Sequence, residues 1–218
     1  ISKEALQNNI IQFRMIVGPE VLICPCIKAN SYGHGLVLCA KTFLAAGADW
    51  LAVNSLYEAR ALREAGVEIP LYILGYVALD DLEEAVNLDC RMVAYNREMI
   101  EKLGEIGRRN VKNNLPCKAA KIHIKIETGN NRQGVLLEEL VEFVEYVRNF
   151  RNIEIEGLTT HFANIEDTGD HSYAELQLAR FEEAVKKLED AGVMVPIKHC
   201  ANSAATISGL PNALSCTY

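Results

Sequence analysis

Short apolar runs alternate along the chain with longer stretches in which apolar residues recur every three or four positions. Aliphatic runs bounded by turn residues are typical of strands that are buried on both faces. The longer stretches between them predict amphipathic helices, and Ser55 with Glu58 forms a capping-box pattern at the start of one. Seven runs predict strands at 21–28, 50–54, 71–75, 91–95, 119–126, 153–159 and 196–201.

This regular alternation of strands and helices predicts parallel pairing with right-handed crossovers. Seven strands are one short of a (β/α)8 barrel, and the final "ALSCTY" has the pattern of an eighth strand beginning. A barrel that lacks its last strand leaves two unpaired edges. We therefore expect residues 1–218 to form one α/β domain, a (β/α)8 TIM-type barrel truncated at the start of the eighth strand, within a larger protein.

Composition and charge exclude several classes of function for this protein. The net charge of −7 argues against nucleic-acid binding, since no phosphate-neutralising surface is available. No apolar run reaches the roughly 18 residues of a membrane helix, and the first residues do not form a secretory signal. The seven scattered cysteines fit small buried side chains of a cytosolic protein. We expect a cytoplasmic protein with neither a membrane nor a nucleic-acid partner.

Four predicted strands end in clusters of polar and ionisable residues. These clusters are "KANSYGHG" from Lys28, "KIETGNNRQG" at 125–134, "THFANIED" at 160–167 and "KHCANSAA" at 198–205. In parallel barrels the active site lies at the carboxyl ends of the strands. Four such clusters at one end of a barrel therefore predict a functional site there.

Lys28 is the strongest single candidate. An apolar strand would desolvate its amine and lower the pKa, which makes the neutral amine available for a Schiff base. Cys24 and Cys26 share a strand face with Lys28, so a metal or redox site built on Cys24, Cys26 and His34 is the alternative. Two thiols without further ligands at zinc spacing favour interior filling instead. We expect no metal, and we interpret His34 as a supporting residue at a helix start.

The quoted motifs "IKANSYGHG", "KIETGNNRQG", "THFA" and "HCANSAA" resemble, in order and spacing, those of fold-type III pyridoxal-phosphate amino-acid racemases, alanine racemases in particular. The resemblance covers essentially the whole chain. It implies a barrel that holds pyridoxal 5'-phosphate, followed in the family by a C-terminal β-domain that this chain lacks. It also implies a small amino-acid substrate, interconversion of L- and D-alanine by two-base α-proton transfer, and a homodimer at full length.

The resemblance assigns roles around the cofactor. Lys28 carries pyridoxal phosphate as a Schiff base and acts as one of the two bases. Tyr32 contacts the phosphate, and so does Ser203 beside Asn202 in the loop after the seventh strand. His161 lies near the cofactor ring. Without the motifs, these positions would be interpreted as a surface lysine, a core tyrosine, a structural histidine and, for Ser203, a helix N-cap.

The resemblance also implies an interaction between Arg132 and Lys125. A planar guanidinium suits the phenolic oxygen of the cofactor or a substrate carboxylate. The resemblance implies that Lys125, seven residues earlier, is carbamylated and pairs with Arg132; a plain inward lysine in a salt bridge is the alternative. His199 is interpreted as a ring-orienting or structural residue.

Two departures from the family pattern leave the substrate open. Glu127 and Asn130 stand where the family has Asp and Met, so serine or a broader range of amino acids remains open beside alanine. In the family, an arginine facing the pyridine nitrogen and a tyrosine that serves as the second base lie past the segment that this chain covers. We expect the chain alone to be inactive. A single-domain pyridoxal-phosphate carrier of the same barrel type is the other alternative.

Overall fold

The structure, a computed structural model, describes residues 1–209 and the backbone of Cys216 and Thr217. Eight short parallel strands follow one another along the chain. They are β1 (Leu22–Ile23), β2 (Leu51–Val53), β3 (Leu71–Ile73), β4 (Cys90–Ala94), β5 (Ala120–Lys125), β6 (Ile153–Thr159), β7 (Ile197–His199) and β8 (Cys216–Thr217). Each of the seven predicted strands overlaps an observed one, and β4 begins one residue before its predicted start.

Helices fill the connections between the strands. They are α1 (Lys3–Val17), α2 (Lys28–Tyr32), α3 (Leu36–Ala45), α4 (Leu56–Glu64), α5 (Leu82–Asn87), α6 (Arg97–Lys112), α7 (Leu140–Arg148), α8 (Ser172–Asp190) and α9 (Ser203–Ser208). The predicted capping box is confirmed, since Ser55 accepts from the Glu58 amide while the Glu58 carboxylate accepts from the Ser55 amide. The sequence pattern missed α5 and the 3₁₀ turn before it, Leu79–Asp81.

The strand order is that of a parallel barrel. β2 to β7 are hydrogen-bonded neighbours in chain order, and β1 pairs with β8 through Leu22 and Cys216. A bridge between Cys26 and Ala52 joins the β1 segment to β2. The resulting order 8-1-2-3-4-5-6-7 confirms the predicted α/β barrel and the onset of an eighth strand. The expectation of an unpaired edge at the first strand was wrong, because β8 already lies against it.

The first predicted strand is wrong beyond Ile23. Pro25 has no N–H to donate, and the strand is interrupted there. The Pro25 carbonyl nevertheless accepts from the Ala52 amide at 2.9 Å, and the Ile27 amide donates to the Ala52 carbonyl at 2.8 Å. The segment thus stays beside β2, but Lys28 begins a turn rather than ending a strand.

Side chains divide cleanly between the two sides of the barrel wall. Cys24 packs inside with Ala52, Tyr72 and Val93, whereas Ile27 belongs to the main apolar core between strands and helices. This confirms that Cys24 faces the interior. Within the described part of the chain, no helix combines the length and apolarity that crossing a membrane requires.

The pairing of β5 with β6 contains an irregularity. Ile122 lies opposite Ile155, but the next residue, His123, lies opposite Gly157. Glu156 is therefore the extra residue of a β-bulge, a feature that commonly re-aims a side chain close to a functional site.

Candidate active site

Lys28 is carried by a turn of unusual backbone conformation. Ala29, Asn30 and Ser31 have φ values of 53° to 55° and ψ values of 42° to 49°, which is a left-handed helical turn. Tyr32 continues it with φ of 55°. Left-handed geometry costs roughly 1–2 kcal/mol for each such non-glycine residue. Strain of this kind is found where a functional side chain must be presented in one orientation.

Hydrogen bonds hold this turn in place. The Ser31 amide donates to the Ile27 carbonyl at 2.8 Å, and the Gly35 amide donates to the Asn30 carbonyl at 3.0 Å. The Asn30 side chain also accepts from the Leu36 amide at 2.8 Å and so caps the start of α3. The turn that begins with Lys28 is therefore tied both to the barrel wall and to the next helix.

The loop after β5 carries Arg132 and is anchored by α8. The Arg180 guanidinium donates to the Thr128 carbonyl at 2.9 Å, and the Tyr173 hydroxyl donates to the Gly129 carbonyl at 2.8 Å. Gly134 closes the loop with φ of 152°, and a Cβ there would lie 2.4 Å from the Glu127 nitrogen. A side chain at Gly134 would therefore force the loop open.

All seven predicted site residues line one cavity of about 560 Å³ at the carboxyl ends of the strands. They come from four separate segments of the chain, as the sequence predicted. They are Lys28, Tyr32, Lys125, Arg132, His161, Asn202 and Ser203.

Three cations, which we call the cationic rim, surround this cavity: Lys28, Lys125 and Arg132. Among the described residues, none of the three forms an ion pair with a carboxylate. Burial lowers the pKa of Lys125 to about 8, and the positive charges of Arg132 and Lys28 add to this effect. The predicted salt bridge of an inward Lys125 is thus absent from the described residues, and its ammonium is available to an anion.

His161 lies close to the same charges. Burial first, and then the positive charges of Lys125, Arg132 and Lys28, lower the pKa of His161 to about 4. The imidazole is therefore neutral at physiological pH. A neutral ring at the cavity wall can contact the face of a planar ligand without adding a fourth positive charge.

Tyr32 and Cys26 lie beside one another in the cavity wall. The Tyr32 hydroxyl lies 3.9 Å from the Cys26 sulfur, within range of a weak hydrogen bond. Partial burial, followed by the Cys26 thiol, raises the pKa of Tyr32 to about 12. Tyr32 thus stays protonated and can donate a hydrogen bond, although 62% of the residue is exposed.

Asn202, and not Ser203, is the N-cap of α9. Its Oδ1 accepts from the Ala205 amide at 2.9 Å, while its Nδ2 donates to Glu166 Oε1 at 2.6 Å. The interpretation of Ser203 as the cap was wrong, because Ser203 is the first residue inside the helix. Ser203 is exposed at the cavity wall, so its hydroxyl can serve a ligand, whereas the Asn202 amide is already engaged.

The residues of the alternative metal site are not gathered. Cys24 is buried in the barrel, Cys26 lines the cavity and His34 is exposed. Across the residues that the structure describes, no group of three or more His, Cys, Asp or Glu side chains is arranged to hold a metal ion. Asn130 is half-buried in its loop and is not among the residues that line the cavity.

Sequence reasoning missed several residues of the cavity wall. Tyr72 and Leu74 project from the β3 segment, and Asn54 and Glu166 come from loops. For Tyr72 and Leu74, the available signal was the period of two along a strand that faces a barrel interior. Glu166 lies within the predicted polar cluster at 160–167 but was not singled out there, and for Asn54 no pattern was available, because tertiary contacts place its loop.

A parallel (β/α)8-type barrel that gathers lysine, arginine and tyrosine side chains at the carboxyl ends of its strands defines a small-molecule site for an anionic ligand. A family model described as "Alanine racemase, N-terminal domain" matches residues 1–217. The chain belongs to the alanine racemase family and corresponds to its N-terminal domain. Members of this family are pyridoxal-phosphate enzymes and act as isomerases.

Individual relatives agree with the family model. The chain is 38% identical over 208 residues to alanine racemases of Methanococcus maripaludis and Desulfovibrio desulfuricans, matching 95% of this chain and 54% of each relative. The chain thus spans about half the length of the curated relatives it matches. The crystal structure of alanine racemase from Bacillus anthracis with bound L-Ala-P superposes with a TM-score of 0.90 at 30% identity. The superposed region covers 99% of this chain and 54% of the Bacillus anthracis chain.

Proposed function

We propose that the full-length protein is a pyridoxal-phosphate-dependent amino-acid racemase that interconverts L- and D-alanine. The observation that carries this proposal is the cationic rim, three unpaired cations beside a tyrosine hydroxyl around one cavity. Family membership supports the same reaction. The second base and the group facing the cofactor nitrogen are proposed to lie outside this chain. Without them, the chain alone is proposed to be inactive.

The residues present fit pyridoxal phosphate. The volume of about 560 Å³ lies within the range of about 300–1,000 Å³ typical of small-molecule sites. The cofactor carries negative charge on its phosphate and phenolic oxygen, and the three rim cations form no ion pair with a carboxylate among the described residues. When bound, the cofactor stabilises the negative charge that develops when the α-proton leaves.

Lys28 has two proposed tasks, covalent attachment of the cofactor and proton transfer at the α-carbon. The strained turn directs its amine into the cavity rather than along the barrel wall. Once released from the cofactor, the Lys28 amine holds or returns a proton on one face of the substrate. Tyr32 and Ser203 are proposed to donate hydroxyl hydrogen bonds to the phosphate, and Asn202 to hold the start of α9 beside it.

Arg132 and Lys125 are proposed to control charge on the other side of the cavity. Arg132 donates to the phenolic oxygen of the cofactor or to a substrate carboxylate. With a pKa of about 8, Lys125 presents enough neutral amine near physiological pH to react with carbon dioxide. Carbamylation would convert its positive charge into a carboxylate-like partner for Arg132. The neutral ring of His161 is proposed to pack near the cofactor ring.

Substrate, assembly and location are parts of the same proposal. Alanine is preferred over serine or a broader range because relatives of 36–39% identity are named alanine racemase. We further propose a homodimer at full length and a cytoplasmic location. Free thiols at Cys26, Cys39, Cys90 and Cys117 are in keeping with a reducing compartment.

Borohydride trapping tests the proposal. The full-length protein is loaded with pyridoxal phosphate, reduced, digested and analysed by mass spectrometry. We expect the pyridoxyl mass on the peptide that contains Lys28. Lys28→Ala should lose both this label and racemisation of alanine, measured by chiral chromatography. Lys41→Ala, which removes an exposed lysine on α3, is the matched control and should keep both.

Three outcomes separate the alternatives. A label on another lysine, or racemisation by Lys28→Ala, would overturn the assignment of Lys28. A label on Lys28 without racemisation of any amino acid would favour the single-domain carrier. Faster racemisation of serine than of alanine would keep the mechanism and change the substrate.

A further inference from the structure

Beneath the cavity, four polar side chains form a continuous chain inside the barrel, which we call the barrel-core network: Arg91, Glu156, His123 and His199. His123 Nδ1 lies 2.6 Å from His199 Nε2. On the other edge of the same ring, His123 Nε2 lies 3.2 Å from Glu156 Oε2. Arg91 donates to both oxygens of Glu156, at 3.0 Å from Nε and 3.2 Å from Nη2.

The two histidines of this network are buried and closely packed. His123 and His199 are each 1% exposed. The Tyr72 ring, which forms part of the cavity wall, contacts both imidazoles with centroid distances of 4.7 and 5.5 Å. Gly157 leaves the space that His123 occupies, since a Cβ there would lie 2.4 Å from His123 Nδ1. The network thus lies directly under the cavity with its rings fixed in orientation.

The charge state of each member follows from its partners. Burial alone raises the pKa of Glu156, but hydrogen bonds from His123 and Arg91 outweigh it and hold the pKa below its usual value. Glu156 is therefore a carboxylate, which can only accept hydrogen bonds. Burial lowers the pKa of His123 and lowers that of His199 well below its usual value. Both imidazoles are therefore neutral, and each carries one proton.

With Glu156 ionised and both rings neutral, one arrangement of protons satisfies the contacts between Glu156, His123 and His199. Glu156 accepts, so His123 must carry its proton on Nε2, which leaves a lone pair on Nδ1. Because that lone pair faces His199 Nε2 at 2.6 Å, His199 must donate from Nε2. A neutral His199 then has its own lone pair on Nδ1.

We propose that Arg91, Glu156 and His123 are positioning residues that hold His199 as a neutral imidazole protonated on Nε2, with a hydrogen-bond acceptor at Nδ1 beneath the cofactor cavity. Because His199 stays neutral, it adds no positive charge beneath the cationic rim. Lys125 of that rim is close enough to act on His199 electrostatically. Any effect of the His199 tautomer on a bound cofactor rests on the proposed function. The tautomer itself rests on the geometry alone.

Nitrogen-15 NMR of the histidine rings tests the tautomer without turnover. In full-length protein labelled with 15N-histidine, protonated and unprotonated ring nitrogens differ in chemical shift. A coupling across the short contact identifies the pair His199 Nε2 and His123 Nδ1. We expect both rings to be protonated on Nε2, with and without pyridoxal phosphate. Protonation of His199 on Nδ1, or on both nitrogens, overturns the proposal.

Glu156→Leu should release both rings from a single tautomer. It removes the carboxylate that accepts from His123 Nε2, while Arg91 keeps its pair with Asp89. We expect a second set of ring signals, in which His123 carries its proton on Nδ1 and donates to His199, whose own proton moves to Nδ1. Glu156→Asp retains an acceptor and should keep the original tautomers. Glu154→Gln, an exposed change on the same strand, is the matched control and should alter neither ring.

The final measurement concerns the cavity. In the loaded protein, Glu156→Leu should shift the absorption band of the bound cofactor, because His199 Nδ1 is then a donor in part of the molecules; Glu154→Gln should not. Persistence of the single Nε2 tautomer or an unchanged band in Glu156→Leu contradicts the positioning role. Should Glu156→Leu fail to fold, the wild-type spectrum still decides the tautomer. A racemase test that fails while the rings show the expected protons would refute the proposed function and leave this assignment standing.

Discussion

The cationic rim and the barrel-core network are both polar and lie within one barrel, yet they are organised in opposite ways. In the network, each charge has a partner of the opposite sign or a hydrogen bond, as with Arg91 and Glu156. In the rim, Lys125 is 7% exposed and forms no ion pair with any described residue. Buried charges without partners are costly for folding. The contrast teaches that the rim is arranged for a ligand that supplies the missing charge, whereas the network is complete without one.

The largest effect on stability is expected in the network. Arg91→Met leaves the largely buried Glu156 carboxylate with His123 as its remaining partner and also removes the ion pair with Asp89. Loss of one member of a buried ion pair costs about 3–5 kcal/mol, which urea denaturation of the cofactor-free protein would measure. Arg97→Met removes an exposed pair with Glu142 and should cost at most about 1 kcal/mol. Equal losses in the two variants would contradict the description of the network as a closed buried unit.

In the cationic rim, removal of one charge is expected to raise the free energy of unfolding rather than lower it. The pKa of Lys125 falls from 10.5 to about 8 in the fold, so its charged form is penalised by about 3 kcal/mol at 1.36 kcal/mol per pKa unit. Lys125→Met should therefore stabilise the cofactor-free protein by up to that amount at pH 7, measured in buffer free of carbon dioxide. Lys121→Met, on the same strand but paired with Asp89, should not stabilise it.

The pH dependence gives this prediction a second check. Between about pH 8 and 10.5, the unfolded chain retains a proton on Lys125 that the folded protein has lost, so wild-type stability rises with pH over this window. The advantage of Lys125→Met should shrink over the same window. A constant difference between the two proteins would show that desolvation is not the cause.

The smallest predicted effect concerns His161. Its folded pKa of about 4 lies below the ordinary 6.5, so the unfolded chain binds a proton first as the pH falls. Wild-type stability should decrease from about pH 6.5 towards pH 4, and at pH 5 the contribution of His161 is about 2 kcal/mol. His161→Gln should reduce this loss between pH 7.5 and pH 5 in urea denaturation. His34→Gln, at an exposed position, should follow the wild-type curve.

Much of the barrel was predictable because buried parallel strands are apolar on both faces and stand out from the helices between them. The same pattern placed the four polar clusters at the carboxyl ends of strands, and the structure brings residues from all four to one cavity. The roles assigned to Lys28, Tyr32 and the other site residues stay predictions.

What the sequence could not provide is set by tertiary contacts. The left-handed turn after Lys28 has no propensity signal, since Ala29 and Ser31 do not favour positive φ. The barrel-core network depends on a bulge that places Glu156 out of register. Period-two reasoning placed Lys28 at a strand end, although Pro25, which a central strand disfavours, already indicated a local irregularity before it.

The pairing of β1 with β8 has a consequence for biosynthesis. Leu22 leaves the ribosome early, but its partner across the barrel, Cys216, is made only after almost every other strand. Until then the growing chain carries an open, curved sheet with two unpaired edges, and such intermediates expose strand edges to chaperones and to other chains. Contacts so distant along the chain also slow folding. We therefore expect closure of the barrel at β1 and β8 to be a late step in folding.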